Sequence, residues 1–172
     1  MNRLHPERRH PWLSIPTTLV TMATLSLTGC SADEGKIMET QDVNDAKGAI
    51  VAFVDESSSA LGGDWRVSSG PAVESCDRDG GGQGAAYGYL VAIDQPGGDP
   101  EQDIASLERL WTERGLTTER YQSGGSDPVL GIRGSGGSVA TVDFLADPRR
   151  YSIDSLSSCV EGDAAEMQND GE

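Results

Sequence analysis

Between residues 41 and 160 the apolar side chains switch repeatedly between a helical and an alternating spacing, and the switches divide the chain into eight elements. Val43, Ala46, Ile50, Phe53, Val54 and Leu61 recur at three- and four-residue steps, which is the period of one helix face. The spacing predicts a helix over residues 41–61, capped by Thr40 and ended by Gly62-Gly63. Residues 64–68 predict a short strand with Trp65 and Val67 directed inward, closed by a Gly70-Pro71 turn. A loop over 77–84 follows Cys76. Residues 85–94 then alternate with period two, setting Tyr87, Tyr89, Val91 and Ile93 on one face and Leu90 and Ala92 on the other.

The second helix carries the clearest start signal. Asp99 is placed to cap, Pro100 takes the first helical position, and Gln102 completes a box-like arrangement. Ile104, Leu107, Leu110 and Trp111 form its stripe, Gly115 stops it, and Leu116 folds back over the last turn. Strands over 117–122, 129–133, 138–146 and 151–160 follow as a meander, broken by Ser123-Gly124-Gly125-Ser126, Gly134-Ser135-Gly136-Gly137 and Asp147-Pro148-Arg149-Arg150. The order α-β-β-α-β-β-β-β predicts an α+β fold: an antiparallel sheet of about five or six strands with two helices packed on one face. The acidic run over 161–172 has no apolar period and is expected to be disordered.

The N-terminus has a different pattern. Arg3, Arg8 and Arg9, with His5 and His10, precede a charge-free stretch over 12–27, the order of a signal peptide. That stretch is shorter than the roughly 20 apolar residues a spanning helix needs, and it holds Pro16 and several threonines. Leu27-Thr28-Gly29-Cys30 resembles the lipobox of bacterial lipoproteins. The resemblance implies cleavage before Cys30, a diacylglyceryl group on its thiol, and a chain held on the outer face of the cell membrane. Arg8-Arg9 is similar to a twin-arginine signal, but Pro11 interrupts the apolar positions that should follow, which favours the general export route. The expected organisation is a signal peptide over 1–29, a tether over 30–39, a single α+β domain over 40–160 and a tail over 161–172.

Cleavage changes the chemistry available. Loss of 1–29 removes three arginines and one glutamate from 13 basic and 28 acidic side chains, leaving 10 and 27 and a formal charge of −17. Such a charge repels nucleic acid and anionic headgroups. Both histidines also leave, so the mature chain cannot by itself build a Ser-His-Asp or Cys-His unit or a histidine-ligated metal site. With Cys30 assigned to lipid, Cys76 and Cys159 remain in an oxidising compartment, and the even remainder predicts one disulfide. No cofactor is expected.

The motif-like stretches mostly fail on inspection. Gly80-Gly81-Gly82-Gln83-Gly84 lacks the Lys-Ser/Thr of a phosphate loop, and Gly134 to Gly137 does not open a helix. Asp77 and Asp79 start like a calcium loop, yet its twelfth position is Gly88 where a bidentate Glu is required. Lys47 has no identifiable serine partner for a Ser-Lys hydrolase. Trp65, Trp111 and the tyrosines at 87, 89, 121 and 151 could line a sugar cleft only if their rings are exposed.

One constellation follows from register. If Asp147–Arg150 is a tight hairpin, Ala146 pairs with Tyr151 and Phe144 with Ile153, which sets Asp143 opposite Asp154. Like charges there are destabilising, so a cation, a shared proton, Arg120, Arg133 or exposure to water must compensate. Paired carboxylates are also what a glycosidase or a hard-metal site needs, which makes Asp143 and Asp154 the metal candidates.

Gly63-Asp64-Trp65, Gly70-Pro71 and Cys76, with Tyr121-Gln122-Ser123-Gly124-Gly125 and Phe144-Leu145-Ala146-Asp147-Pro148, resemble small actinobacterial lipoproteins of the LppA-like kind. The resemblance implies an extracytoplasmic lipoprotein of undefined activity. The sequence reading is therefore a membrane-anchored, non-catalytic domain with a protein or small-molecule partner at the cell surface. The alternatives are a carboxylate-based hydrolase or cation-binding domain using Asp143 and Asp154, and a purely structural envelope protein.

Overall fold

A computed structural model describes residues 43–169. The signal peptide over 1–29, Cys30, the tether over 30–39, the Thr40 cap and the end of the tail lie outside the described residues. Within them the elements run α1 (Val43–Leu61), β1 (Arg66–Asp77), β2 (Gln83–Asp94), α2 (Pro100–Glu113), β3 (Thr117–Ser123), β4 (Val129–Gly136), β5 (Val139–Asp147), β6 (Arg150–Ser157) and α3 (Ala164–Asn169). The strands form one six-stranded sheet in the order β1-β2-β6-β5-β4-β3, antiparallel throughout. The α+β class and the eight-element order are as the apolar spacing predicts, with a short third helix added.

Alternation along the strands decides what the helices cover. Tyr87, Tyr89 and Val91 of β2, Tyr151 and Ile153 of β6, and Val142, Phe144 and Ala146 of β5 share one face and are buried. Against them lie Ala46, Ile50, Phe53 and Val54 of α1 and Ile104, Leu107 and Trp111 of α2. The Asp99 side chain accepts from the Gln102 backbone N–H at 3.0 Å, and Pro100 is the first helical residue. Leu116 N–H donates to the Trp111 carbonyl at 2.9 Å, folding Leu116 over the end of α2. Trp111 is fully buried and its indole N–H donates to Ser57 Oγ at 3.0 Å; that hydroxyl donates on to the Phe53 carbonyl at 2.8 Å. One buried polar chain thus links the two helices. Tyr151 reaches past the core to donate to Asp103 on α2 at 2.9 Å.

Cys76 and Cys159 form the expected disulfide, with Cα atoms 5.9 Å apart. Cys159 follows β6 rather than lying in it: the strand ends at Ser157, and Val160 makes an isolated bridge with Ala85 instead.

Two expectations are corrected. The short strand over 64–68 is the start of a 12-residue strand that runs through Gly70-Pro71 instead of turning there. Register shifts between Val67 and Ala72 absorb a cis Gly70-Pro71 bond, and Gly70 has φ +80° with its Cα against the Gly88 carbonyl, where a side chain has no room. Val67 pairs with the inward-facing Val91 ahead of these shifts, but on an edge strand it is 58% exposed, while Trp65 is half-buried against the core. The loop over 77–84 shrinks accordingly to the turn between Asp77 and Gln83. The second correction concerns the tail. Residues from Ala164 form α3, with Ala164 buried, Met167 packed on the core, and Gln168 Nε2 donating to the Val73 carbonyl of β1 at 2.8 Å. Asp163 caps it, accepting from the N–H groups of Ala165 and Glu166.

Candidate functional site

The sheet face opposite the helices carries no helix among the described residues. Strand register lines up its side chains in rows. One row runs Leu90, Asp154, Asp143, Arg133 and Glu119 across β2, β6, β5, β4 and β3. The row beside it holds Gly88, Leu156 and Thr141, continued by Ser135 and Thr117 on β4 and β3. Over both rows lies an open hollow of about 630 Å³ lined by Glu74, Glu119, Arg133, Thr141, Asp143, Asp154 and Leu156 among others. The Glu74 carboxylate folds across Gly88, in space that a side chain at 88 would take.

The tight Asp147–Arg150 hairpin places Asp143 opposite Asp154, with Ala146 opposite Tyr151 and Phe144 opposite Ile153, as the apolar pattern predicts. What compensates is visible. Arg133, directly across from Asp143 on β4, reaches its carboxylate at 3.5 Å. The Tyr121 hydroxyl donates to the other Asp143 oxygen, its ring lies flat over Gly131, and the Arg133 guanidinium sits 4.5 Å from the ring centroid. Burial first, and then the bond to the Asp143 carboxylate, push the Tyr121 hydroxyl up to about 12, so it remains a donor at any ordinary pH. Arg120, the other candidate compensator, belongs to the opposite face. It pairs with Ile132 in register and binds Glu108 on α2 at 3.1 Å.

Among the described residues no side chain pairs with Asp154 in this way. Partial desolvation and the Asp143 charge raise its pKa. The folded chain therefore holds this proton through a range where the unfolded chain has already released it. Stability at this residue falls as pH rises from the ordinary Asp value through the raised one. Asp154→Asn is expected to stabilise the chain at neutral pH by roughly a few tenths of a kcal/mol, because solvent screens the exposed pair. Asp143→Asn should instead destabilise by about 1 kcal/mol, since it weakens the bonds from Tyr121 and Arg133. Melting curves at pH 4 and pH 7 check both. Equal shifts of the same sign would contradict the asymmetry, and the gain from Asp154→Asn should fade at the lower pH.

The remaining candidates disperse. Trp111, Tyr87 and Tyr151 are buried, as is Tyr89, so they form core and not a sugar platform. Trp65 donates its indole N–H to the Gly62 carbonyl at 2.9 Å. Lys47 extends over the Tyr87 ring at 5.6 Å. Among the described residues no three carboxylate or thiol side chains come together as a metal site requires. Tyr121, Glu74, Glu119 and Thr141 were not singled out by sequence as partners of the Asp143–Asp154 pair. Strand parity was the available signal: residues at 119 and 121 share a face with 133 once β3 and β4 are set in register.

No family model and no curated protein matches the chain. Among solved structures it is similar to a DUF4853 family protein from Actinomyces odontolyticus, at 19% identity and a TM-score of 0.45, over 72% of this chain and 67% of that one. Among the described residues no helix is long and apolar enough to cross a membrane.

Proposed function

We propose that this chain is an extracytoplasmic lipoprotein, anchored by lipid on Cys30, whose domain is a non-catalytic binding module working through its open sheet face. The supporting observation is the asymmetry of the layers: helices occupy one side of the sheet, while the other bears a hollow of about 630 Å³ lined by ordered charged and hydroxyl side chains. A carboxylate-based hydrolase or cation site has the facing Asp143 and Asp154 in its favour. Yet Asp143 is occupied by Tyr121 and Arg133, which suits holding a surface in shape better than attacking a bond.

Two measurements test this reading. Mass spectrometry of the native protein is expected to show a diacylglyceryl-modified Cys30 as the first residue, and an intact leader overturns the anchoring. A photo-crosslinking residue at Thr141, on the open face, is expected to capture one dominant neighbour on intact cells. The same residue at Glu113, on the exposed side of α2, should capture none in common. Identical or empty adduct patterns at the two positions overturn the binding face.

A further inference from the structure

We infer that β3 is a docking border that takes up an extended segment of another polypeptide as a seventh strand, antiparallel to β3, with an aliphatic side chain seated beside α2. The site is distinct from the open face proposed above. β1 and β3 close the two ends of the strand order, and they differ. β1 is interrupted by Pro71 and its register shifts, and Gln168 of α3 occupies its Val73 carbonyl. β3 has neither defence. Thr117–Ser123 holds no proline or glycine, pairs with β4 residue for residue without a shift, and includes the Thr and Tyr side chains that strands favour. In an antiparallel pair, alternate residues direct both backbone groups away from the neighbouring strand. Among the described residues the backbone of 117–123 makes no backbone bond outside the sheet. Its outward groups therefore form a row of donors and acceptors whose spacing another extended backbone matches.

An open border alone selects no side chain; a hollow beside it does. About 430 Å³ lie between the start of α2 and β3, lined by Glu101 and Ile104 from the helix and by Arg120, Gln122 and Leu130 among others from the strands. Leu130 pairs with Gln122, so the next member of that row is a residue of the added strand, on the helix side of the sheet. Ile104 and half-buried Leu130 supply the apolar lining there. The charges at the mouth satisfy one another, because Arg120 binds Glu108 at 3.1 Å and lies 3.9 Å from Glu101. An aliphatic side chain fits without stranding a charge. A second copy of this chain fits poorly. Two-fold pairing of β3 with itself brings two carboxylates together when centred on Glu119 and two guanidiniums when centred on Arg120. Centred on Tyr121 it overlaps only residues 119–123, and each copy carries a formal charge of −15.

The test titrates the purified, isotope-labelled full chain with the peptide Lys-Val-Thr-Leu-Thr-Val-Lys and follows backbone amide signals by magnetic resonance. Signals of residues 117–123 and of Leu130 are expected to shift, while those of β1 stay in place. Methylating the nitrogens of the peptide's two valines and its leucine removes the donors along one of its borders; methylating both threonine nitrogens removes those along the other. One methylated form should bind about tenfold more weakly and the other within about twofold of the parent, because only one border faces β3. Replacing the peptide's leucine by aspartate should also weaken binding about tenfold. Equal weakening by the two methylated forms, shifts centred away from β3, or no shift at about millimolar peptide would each overturn the inference. Sedimentation of the chain alone should give a single copy; a pair lost in Arg120→Ala would assign the border to a second copy and overturn it too. Shifts confined to β3 together with an empty Thr141 crosslink sink the open face and leave the border standing. The reverse result sinks the border alone.

Discussion

Replacing Cys76 and Cys159 together by serine is expected to lower the free energy of unfolding by about 4–5 kcal/mol. The bond joins residues 83 apart, and in the chain-entropy model a loop that long removes much of the freedom of the unfolded chain. It also holds together a part of the fold that has little else. Beyond β6, the chain is tied back by the Ala85–Val160 bridge and the Arg78–Glu161 ion pair before α3 docks. Since small domains are stable by only about 5–15 kcal/mol, the double variant should unfold at markedly lower denaturant. Parallel unfolding of the parent chain in reductant should match it. A midpoint that moves by less than the equivalent of about 1 kcal/mol would show that the reduced chain keeps these ends together in the unfolded state.

Trp111 is the second weak point. Trp111→Ala is expected to cost about 3–5 kcal/mol, the range for emptying a large buried aromatic site. Its surroundings have little freedom to collapse: Phe53 lies 6.0 Å away centroid to centroid, and Leu116 and Gly134 close the other side. Trp111→Phe separates volume from hydrogen bonding. It keeps most of the ring contact but leaves Ser57 Oγ without the indole donor, while its bond to the Phe53 carbonyl remains. About 1–2 kcal/mol is expected for that variant. Denaturant unfolding followed by circular dichroism reads both, and a phenylalanine variant as unstable as the alanine one would shift the cost from packing to the N–H.

What the sequence made legible was whatever one element decides alone. Alternation from Tyr87 to Ile93 gave β2 and its inward face, and Asp99-Pro100 gave the start of α2. The Asp143–Asp154 pairing was readable too, because only one register puts Phe144 beside Ile153 and Ala146 beside Tyr151. What depended on two distant segments was not. Pro100 at a helix start and Pro71 inside a strand look alike locally, and only the room left by Gly88 and the register shifts in β1 tell them apart. Val67 keeps the inward parity the sequence assigns it, opposite Val91, but the sequence does not announce that β1 is an edge strand, where that position lies open. Helix α3 has no apolar period to detect; Ala164 joins the core and Met167 packs on it where the disulfide and the Ala85–Val160 bridge bring that segment beside β1 and β2. Arg120 and Arg133 were equivalent candidates in the sequence, and the parity of the β3–β4 pairing separated them.

The way α3 meets the sheet also limits how copies of this protein can stick to one another. A sheet can recruit a further strand wherever backbone N–H and C=O groups stand unpaired along a border, and end-to-end growth into fibres needs two such borders per molecule. Here the β1 border is interrupted by Pro71, which has no N–H, and Gln168 occupies the Val73 carbonyl. Among the described residues the β3 border has no such block, so contact between copies through their sheets is expected to end at a pair.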